Sequence, residues 1–66
     1  MELQINGEPM QVGDKINIDQ LLSGLELNPK QVVVELNRNI LTPEAFPSTV
    51  LIQGDILEIV QFVGGG

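Results

Sequence analysis

Asn17-Ile18-Asp19-Gln20-Leu21-Leu22-Ser23-Gly24-Leu25 contains the only strongly marked helix start in the chain. The Asn17 side chain can accept a hydrogen bond from a first-turn N–H, and Gln20, three residues later, stands in the reciprocal capping-box position. Ile16 and Leu21 flank the cap at the spacing of a hydrophobic staple. Ile18, Leu21, Leu22 and Leu25 recur at i, i+3, i+4 and i+7, so they share one face. Gly24 weakens the helix, and Asn28-Pro29 must lie beyond its end, because proline excludes helical backbone from the residue before it. About two turns of helix cannot stand alone in water. This helix needs a sheet to lie on.

The flanking sequence supplies one. Upstream, Glu2-Leu3-Gln4-Ile5-Asn6 alternates polar and apolar residues with the period of a half-buried strand. Asn6-Gly7 favours a tight hairpin turn, since both residue types tolerate positive φ. Met10 and Val12 resume the alternation in a second strand, which stops at Gly13-Asp14. Downstream, Val32-Val33-Val34-Glu35-Leu36 is the strongest strand candidate, rich in β-branched residues. Asn37-Arg38-Asn39 reads as a turn into Ile40-Leu41. The segment Thr42-Pro43-Glu44-Ala45-Phe46-Pro47-Ser48 holds two prolines and reads as loop, with room for one tight helical turn. Val50-Leu51-Ile52 is expected as a short edge strand. Gln53-Gly54-Asp55 turns the chain into a last strand, Ile56 to Val63, and three glycines follow.

A hairpin, one helix crossing it and a final strand returning beside the first make a β-grasp arrangement, the fold of ubiquitin. The expectation is an α+β, ubiquitin-like domain: a mixed four- to five-stranded sheet with one short helix packed on one face. The right-handed crossover rule permits this wrap and disfavours its mirror image. Residues 1–66 are read as one domain, with 64–66 as a flexible functional glycine tail.

Sixty-six residues leave no room for a second core, and without cysteine the fold must rest on well-matched packing. Nine acidic residues against three basic ones give a net charge of −6. Lys15, Lys30 and Arg38 are scattered singly, so nucleic acid is not an expected partner. A negative surface likewise disfavours anionic membranes and suits a more basic protein partner, although it also serves simply to keep a small domain in solution. Neither an apolar run of spanning length nor a signal-peptide pattern is seen, which reads as a cytoplasmic protein.

Elimination narrows the chemistry. With neither histidine nor cysteine, the usual general base, thiol nucleophile and metal ligands are missing. Ser23 and Ser48 have no base in view, no phosphate loop appears, and Asp14, Asp19 and Asp55 lack calcium-loop spacing. The chain is not expected to be an enzyme by itself, nor to bind a metal. What remains is the C-terminus, Phe62-Val63-Gly64-Gly65-Gly66. A strip without side chains can thread a narrow channel into another protein's active site, leaving the Gly66 carboxylate as the reacting group. Taken alone, terminal glycines are a weak signal and favour a frayed tail or linker.

The last strand adds to the case. By alternation Leu57 and Ile59 point at the helix, while Glu58, Val60 and Phe62 share the opposite face. One helix covers only one side of the sheet. Val60 and Phe62 are therefore expected to be partly exposed, joined by Val33, as an apolar docking patch leading through Val63 and Gly64 into the tail.

At this point the sequence resembles the ThiS family of sulfur carriers. The resemblance rests on Asn6-Gly7-Glu8, Leu21-Leu22, Val34-Glu35-Leu36-Asn37, Gly54-Asp55 with Leu57-Glu58-Ile59-Val60, and the glycine end. It covers the whole chain. It implies that a ThiF-type, E1-like enzyme adenylates the Gly66 carboxylate with ATP and magnesium, neither of which the carrier itself holds. A sulfur donor system then makes the thiocarboxylate, and a ThiG-type thiazole synthase receives the sulfur. Gly65 lets the tail enter the partner, and the carrier is expected as a monomer. One departure is Thr42-Pro43-Glu44, where family members often carry Pro-Arg; this bears on partner contacts from that loop. The competing readings are a carrier of the molybdopterin-synthase small-subunit type, another ubiquitin-like sulfur carrier, and a β-grasp interaction module whose glycines are inert.

Overall fold

The computed structural model describes residues 1–62. Five strands form one sheet: β1 (Glu2–Ile5), β2 (Glu8–Gln11), β3 (Val32–Leu36), β4 (Asn39–Leu41) and β5 (Ile56–Gln61), in the order β2-β1-β5-β3-β4. β5, last in sequence, lies at the centre. It runs parallel to β1 and antiparallel to β3, and each of those pairs outward with its own hairpin partner. One helix, α1 (Ile18–Gly24), completes the β-grasp arrangement.

Both hairpins turn on two residues with positive φ. Asn6 and Gly7 (φ 52° and 83°) join β1 to β2, and Asn37 and Arg38 (φ 49° and 73°) join β3 to β4. Such left-handed pairs match the natural twist of the flanking strands. The α1 cap forms as its sequence predicts: Gln20 N donates to Asn17 Oδ1 at 2.7 Å, and Asn17 N donates to Gln20 Oε1 at 2.8 Å. The other end closes through Glu26 in left-handed conformation (φ 61°), with Glu26 N donating to Ser23 O and Leu27 N donating to Leu22 O. That is a Schellman closure with glutamate where glycine is usual.

The core lies between the sheet and α1. Leu3 and Ile5 of β1, Val32 and Val34 of β3, and Leu57 and Ile59 of β5 meet Ile18, Leu21 and Leu22 of the helix. Leu25 and Ile16 pack at its margin. Phe46, in a 3₁₀ segment spanning Pro43–Ser48, and Leu51 fill the remaining space, both 1% exposed. A second 3₁₀ turn, Pro29–Gln31, was not expected from the sequence; the Asn28 side chain caps it by accepting from Lys30 N at 2.9 Å.

Val50-Leu51-Ile52 does not form the expected edge strand. Only an isolated bridge, Asn17 with Val50, is present. Ile18 N donates to Thr49 O and Leu51 N to Ile16 O, so this segment pairs with the chain entering the helix rather than with the sheet. The position beside β3 belongs to Asn39–Leu41, which its two-residue turn delivers directly. Apolar alternation is satisfied all the same: Leu51 is buried while Val50 and Ile52 are exposed.

Candidate functional site

β5 carries two surfaces of opposite character. Leu57 and Ile59 are buried under α1, whereas Ile56, Glu58, Val60 and Gln61 are exposed. Phe62, just past the strand, is 48% exposed and Val60 61%. Val33 of β3, 42% exposed, stands directly opposite Val60 in the antiparallel register. The apolar patch expected from alternation therefore exists, at the point where the chain leaves the sheet. Ile56 on β5 and Ile40 on β4, 47% and 70% exposed, extend it in two further directions.

The next antiparallel pair along is Glu35 with Glu58, and Glu35 in turn pairs with Ile40. Two carboxylates thus face each other across neighbouring strands on the outer sheet surface, among Val33, Val60, Ile56 and Ile40. Strand alternation could show that Glu58 points outward. Its opposition to Glu35 depends on register between segments more than twenty residues apart, which alternation does not determine.

Two polar clamps hold β5 in place. Asn6 donates its backbone N–H to Leu57 O at 2.9 Å, and its side chain then grips Ile59 twice. Ile59 N donates to Asn6 Oδ1 at 2.7 Å, and Asn6 Nδ2 donates to Ile59 O at 3.2 Å. A side-chain amide here continues the β1–β5 ladder past the point where β1 turns into its hairpin. At the other end Asp55 is buried, the sole polar residue so classed among the described ones. It accepts from Ile52 N at 2.9 Å and from Asn37 Nδ2 at 3.0 Å, while Ile56 N donates to Asn37 Oδ1 at 3.0 Å. Sequence reading treated Asn6, Asn37 and Asp55 as turn residues. Each also fastens the central strand.

On the helix side, an open groove of about 510 Å³ runs beneath the first hairpin, lined chiefly by Ile5, Met10, Leu25, Leu27 and Ile59, with Gln61 at its rim. Glu8 is the one titratable residue on its wall, which suits packing more than acid–base chemistry. Val63, Gly64, Gly65 and Gly66, read from the sequence as the end of the docking strand and as the reactive tail, lie outside the described residues. Glu44, from the departure at Thr42-Pro43-Glu44, is exposed in the 3₁₀ segment.

Fold and face together define a β-grasp domain of the ubiquitin-like class, with an exposed sheet surface leading to a glycine terminus. Comparison with known proteins narrows this. The chain belongs to the ThiS family, whose model matches residues 3–66. It is similar to the sulfur carrier protein ThiS of Bacillus subtilis, 40% identical over 65 residues that cover 97% of this chain and 98% of that one. The crystal structure of the thiamine biosynthesis protein ThiS from Geobacter metallireducens superimposes with a TM-score of 0.86 at 40% identity, each chain fully covered. A thiazole synthase of Magnetococcus marinus is 35% identical over 66 residues, which span all of this chain but 20% of that protein.

Proposed function

We propose that this chain carries sulfur for thiazole formation in thiamine biosynthesis, with the carboxylate of Gly66 as the carrying group. The observation that supports this most is the family match, which extends over residues 3–66 and so includes the glycine end. The fold supplies a rigid handle. β5 is held along one edge by β3 and at Ile59 by the Asn6 side chain on the other, and Phe62, just past the strand, is exposed beside an apolar face.

The chemistry divides between carrier and partners. An unactivated carboxylate is a poor acyl donor. In an E1-like enzyme of the ThiF type, a Gly66 carboxylate oxygen attacks the α-phosphorus of ATP, aided by magnesium, and pyrophosphate leaves. Sulfide supplied by the donor system then attacks the acyl carbon and AMP departs, leaving a thiocarboxylate. Transfer of that sulfur to the thiazole precursor on a ThiG-type synthase, with an oxygen atom taken up in its place, returns the carboxylate. Gly65 and Gly64 admit the tail to a channel too narrow for a Cβ. This chain provides the terminus and the docking face, without a catalytic side chain or a bound cofactor of its own.

The thiazole synthase partner draws support from Magnetococcus marinus, where a sequence similar to the whole of this chain is joined in one polypeptide to the rest of a thiazole synthase. Linking two partners covalently raises their effective concentration, a natural arrangement for proteins that must meet. The chain is taken to act in the cytoplasm as a monomer. Among the described residues no helix is long and apolar enough to cross a membrane.

Deleting Gly65-Gly66 tests the reading. A carrier loses all activation by the adenylating enzyme while its circular dichroism and thermal midpoint stay unchanged. A deletion variant that still supports thiazole formation would refute it.

A further inference from the structure

Both hairpin turns open with an asparagine in left-handed conformation, and both asparagines use their carboxamide to hold β5. Asn37 (φ 49°) accepts from Ile56 N at 3.0 Å and donates to Asp55 Oδ1 at 3.0 Å. Asn6 (φ 52°) accepts from Ile59 N at 2.7 Å and donates to Ile59 O at 3.2 Å. The two turns differ in the residue that follows: Arg38 after Asn37, Gly7 after Asn6. That difference is chemical as well as steric. A backbone nitrogen can attack the side-chain carbonyl of the asparagine before it, and a Cβ on the attacking residue stands in the way. Of the five asparagines, Asn6 alone precedes a glycine. Asn28 precedes Pro29, whose nitrogen has no hydrogen to give up, and Asn17, Asn37 and Asn39 precede residues with side chains.

We propose that Asn6-Gly7 is the deamidation site of this chain, with water as the co-reactant, and that the fold restrains the reaction by clamping the Asn6 carboxamide to Ile59. Gly7 N bonds to Asn6 Cγ, and the proton of Gly7 N leaves with the amide nitrogen as ammonia, closing a cyclic imide. Water then adds to one of the two imide carbonyls. Opening at Cγ breaks the new bond and leaves an aspartate in normal backbone. Opening at the Asn6 main-chain carbonyl breaks the original peptide bond to Gly7 and leaves an isoaspartyl link through Cγ. Either route exchanges one amide nitrogen for an oxygen.

The structure supplies both the restraint and the consequence. Asn6 and Gly7 are exposed, so water reaches the turn. Yet Asn6 Oδ1, Nδ2 and backbone N–H are all engaged on β5, the last with Leu57 O at 2.9 Å. Cγ meets Gly7 N only after the carboxamide leaves Ile59. The reaction therefore runs through a locally opened turn, and its rate follows the population of that state. Afterwards the clamp cannot re-form as before. An aspartate still accepts from Ile59 N, but Ile59 O loses its donor and faces a carboxylate oxygen instead. An isoaspartyl link also adds a backbone carbon to a two-residue turn that sets the register of β1 with β2. Conversion thus loosens β5 three residues ahead of Phe62. None of this depends on the chain carrying sulfur.

The test is incubation of the full chain at mildly alkaline pH, folded in buffer and unfolded in urea, read by intact mass and peptide mapping. Wild type is compared with Gly7→Arg and Arg38→Gly. A Cβ at Gly7 meets nothing within 4 Å, and Arg38 holds the corresponding place in the other turn at φ 73°. In urea the wild type should convert at Asn6, to aspartyl and isoaspartyl products, with Asn37 unchanged. Folded, it should convert at least about tenfold more slowly. In urea, where a variant's own stability plays no part, Gly7→Arg should slow conversion about tenfold and Arg38→Gly should open a second site at Asn37. The purified converted chain should melt about 4–8 °C below wild type, with Asn6→Asp shifted in the same direction. Conversion of another asparagine ahead of Asn6 in urea, or none at Asn6, would overturn the proposal. So would equal rates folded and unfolded, or a converted chain that melts with the wild type.

Discussion

The two faces of β5 share a backbone and differ in everything else. Leu57 and Ile59 face α1 and are 0% and 8% exposed, while Val60, next in sequence to Ile59, is 61% exposed. A two-layer domain with one helix cannot cover both sides of its sheet, so alternation along the strand becomes a division of labour. The inner face holds the fold together. The outer face is free of that duty, and there Val33, Ile40, Ile56, Val60 and Phe62 stay exposed. Asn6 and Asp55 serve both faces, because they fix the strand that carries them.

Substitutions can break this comparison or sharpen it. The largest effect is expected from Leu57→Ala, which opens a cavity beneath the helix and costs about 3 kcal/mol. For a domain this small that is much of the total stability, so urea unfolding should show a midpoint near the start of the titration. Asp55→Ala comes next. It leaves the Ile52 N–H and the Asn37 amide without their acceptor and costs about 2 kcal/mol, read in the same titration. On the outer face, Val60→Ser with Phe62→Ser should move stability by less than about 0.5 kcal/mol, as exposed sites do. The same pair should raise the KM for adenylation about tenfold, since exposed apolar anchors act at interfaces. The smallest effect is a gain: Glu26→Gly relieves a left-handed glutamate at the helix end and should stabilise by about 0.5–1 kcal/mol, with adenylation unchanged.

Much of the architecture was legible because its signals are local. The capping box of Asn17 and Gln20, the Asn6-Gly7 turn, the alternation in β1 and β5 and the β-branched run of β3 each need only a few neighbouring residues to be read, and each forms an element where expected. What escaped depends on partners distant in sequence. Asp55 looks like any turn aspartate until Asn37 arrives beside it, and Asn6 looks like a turn residue until Ile59 is placed next to it. Val50-Leu51-Ile52 has the composition of a strand, but Ile16 and Asn17 claim its hydrogen bonds. The helix stop was hidden for another reason, since Glu26 closes it where glycine would have announced the end. The apolar exit at Val60 and Phe62 followed from strand periodicity plus the count of helices, and it holds. The Glu35–Glu58 opposition needed the register and was not seen.

The most direct test of the account is the intact mass of the chain after incubation with a ThiF-type enzyme, magnesium-ATP and a sulfur source, beside a control lacking Gly66. The account predicts replacement of one oxygen by sulfur, confined to the C-terminal fragment and absent from the control. An unmodified wild-type chain, with the enzyme demonstrably active, would contradict it, as would sulfur found anywhere other than the C-terminal fragment.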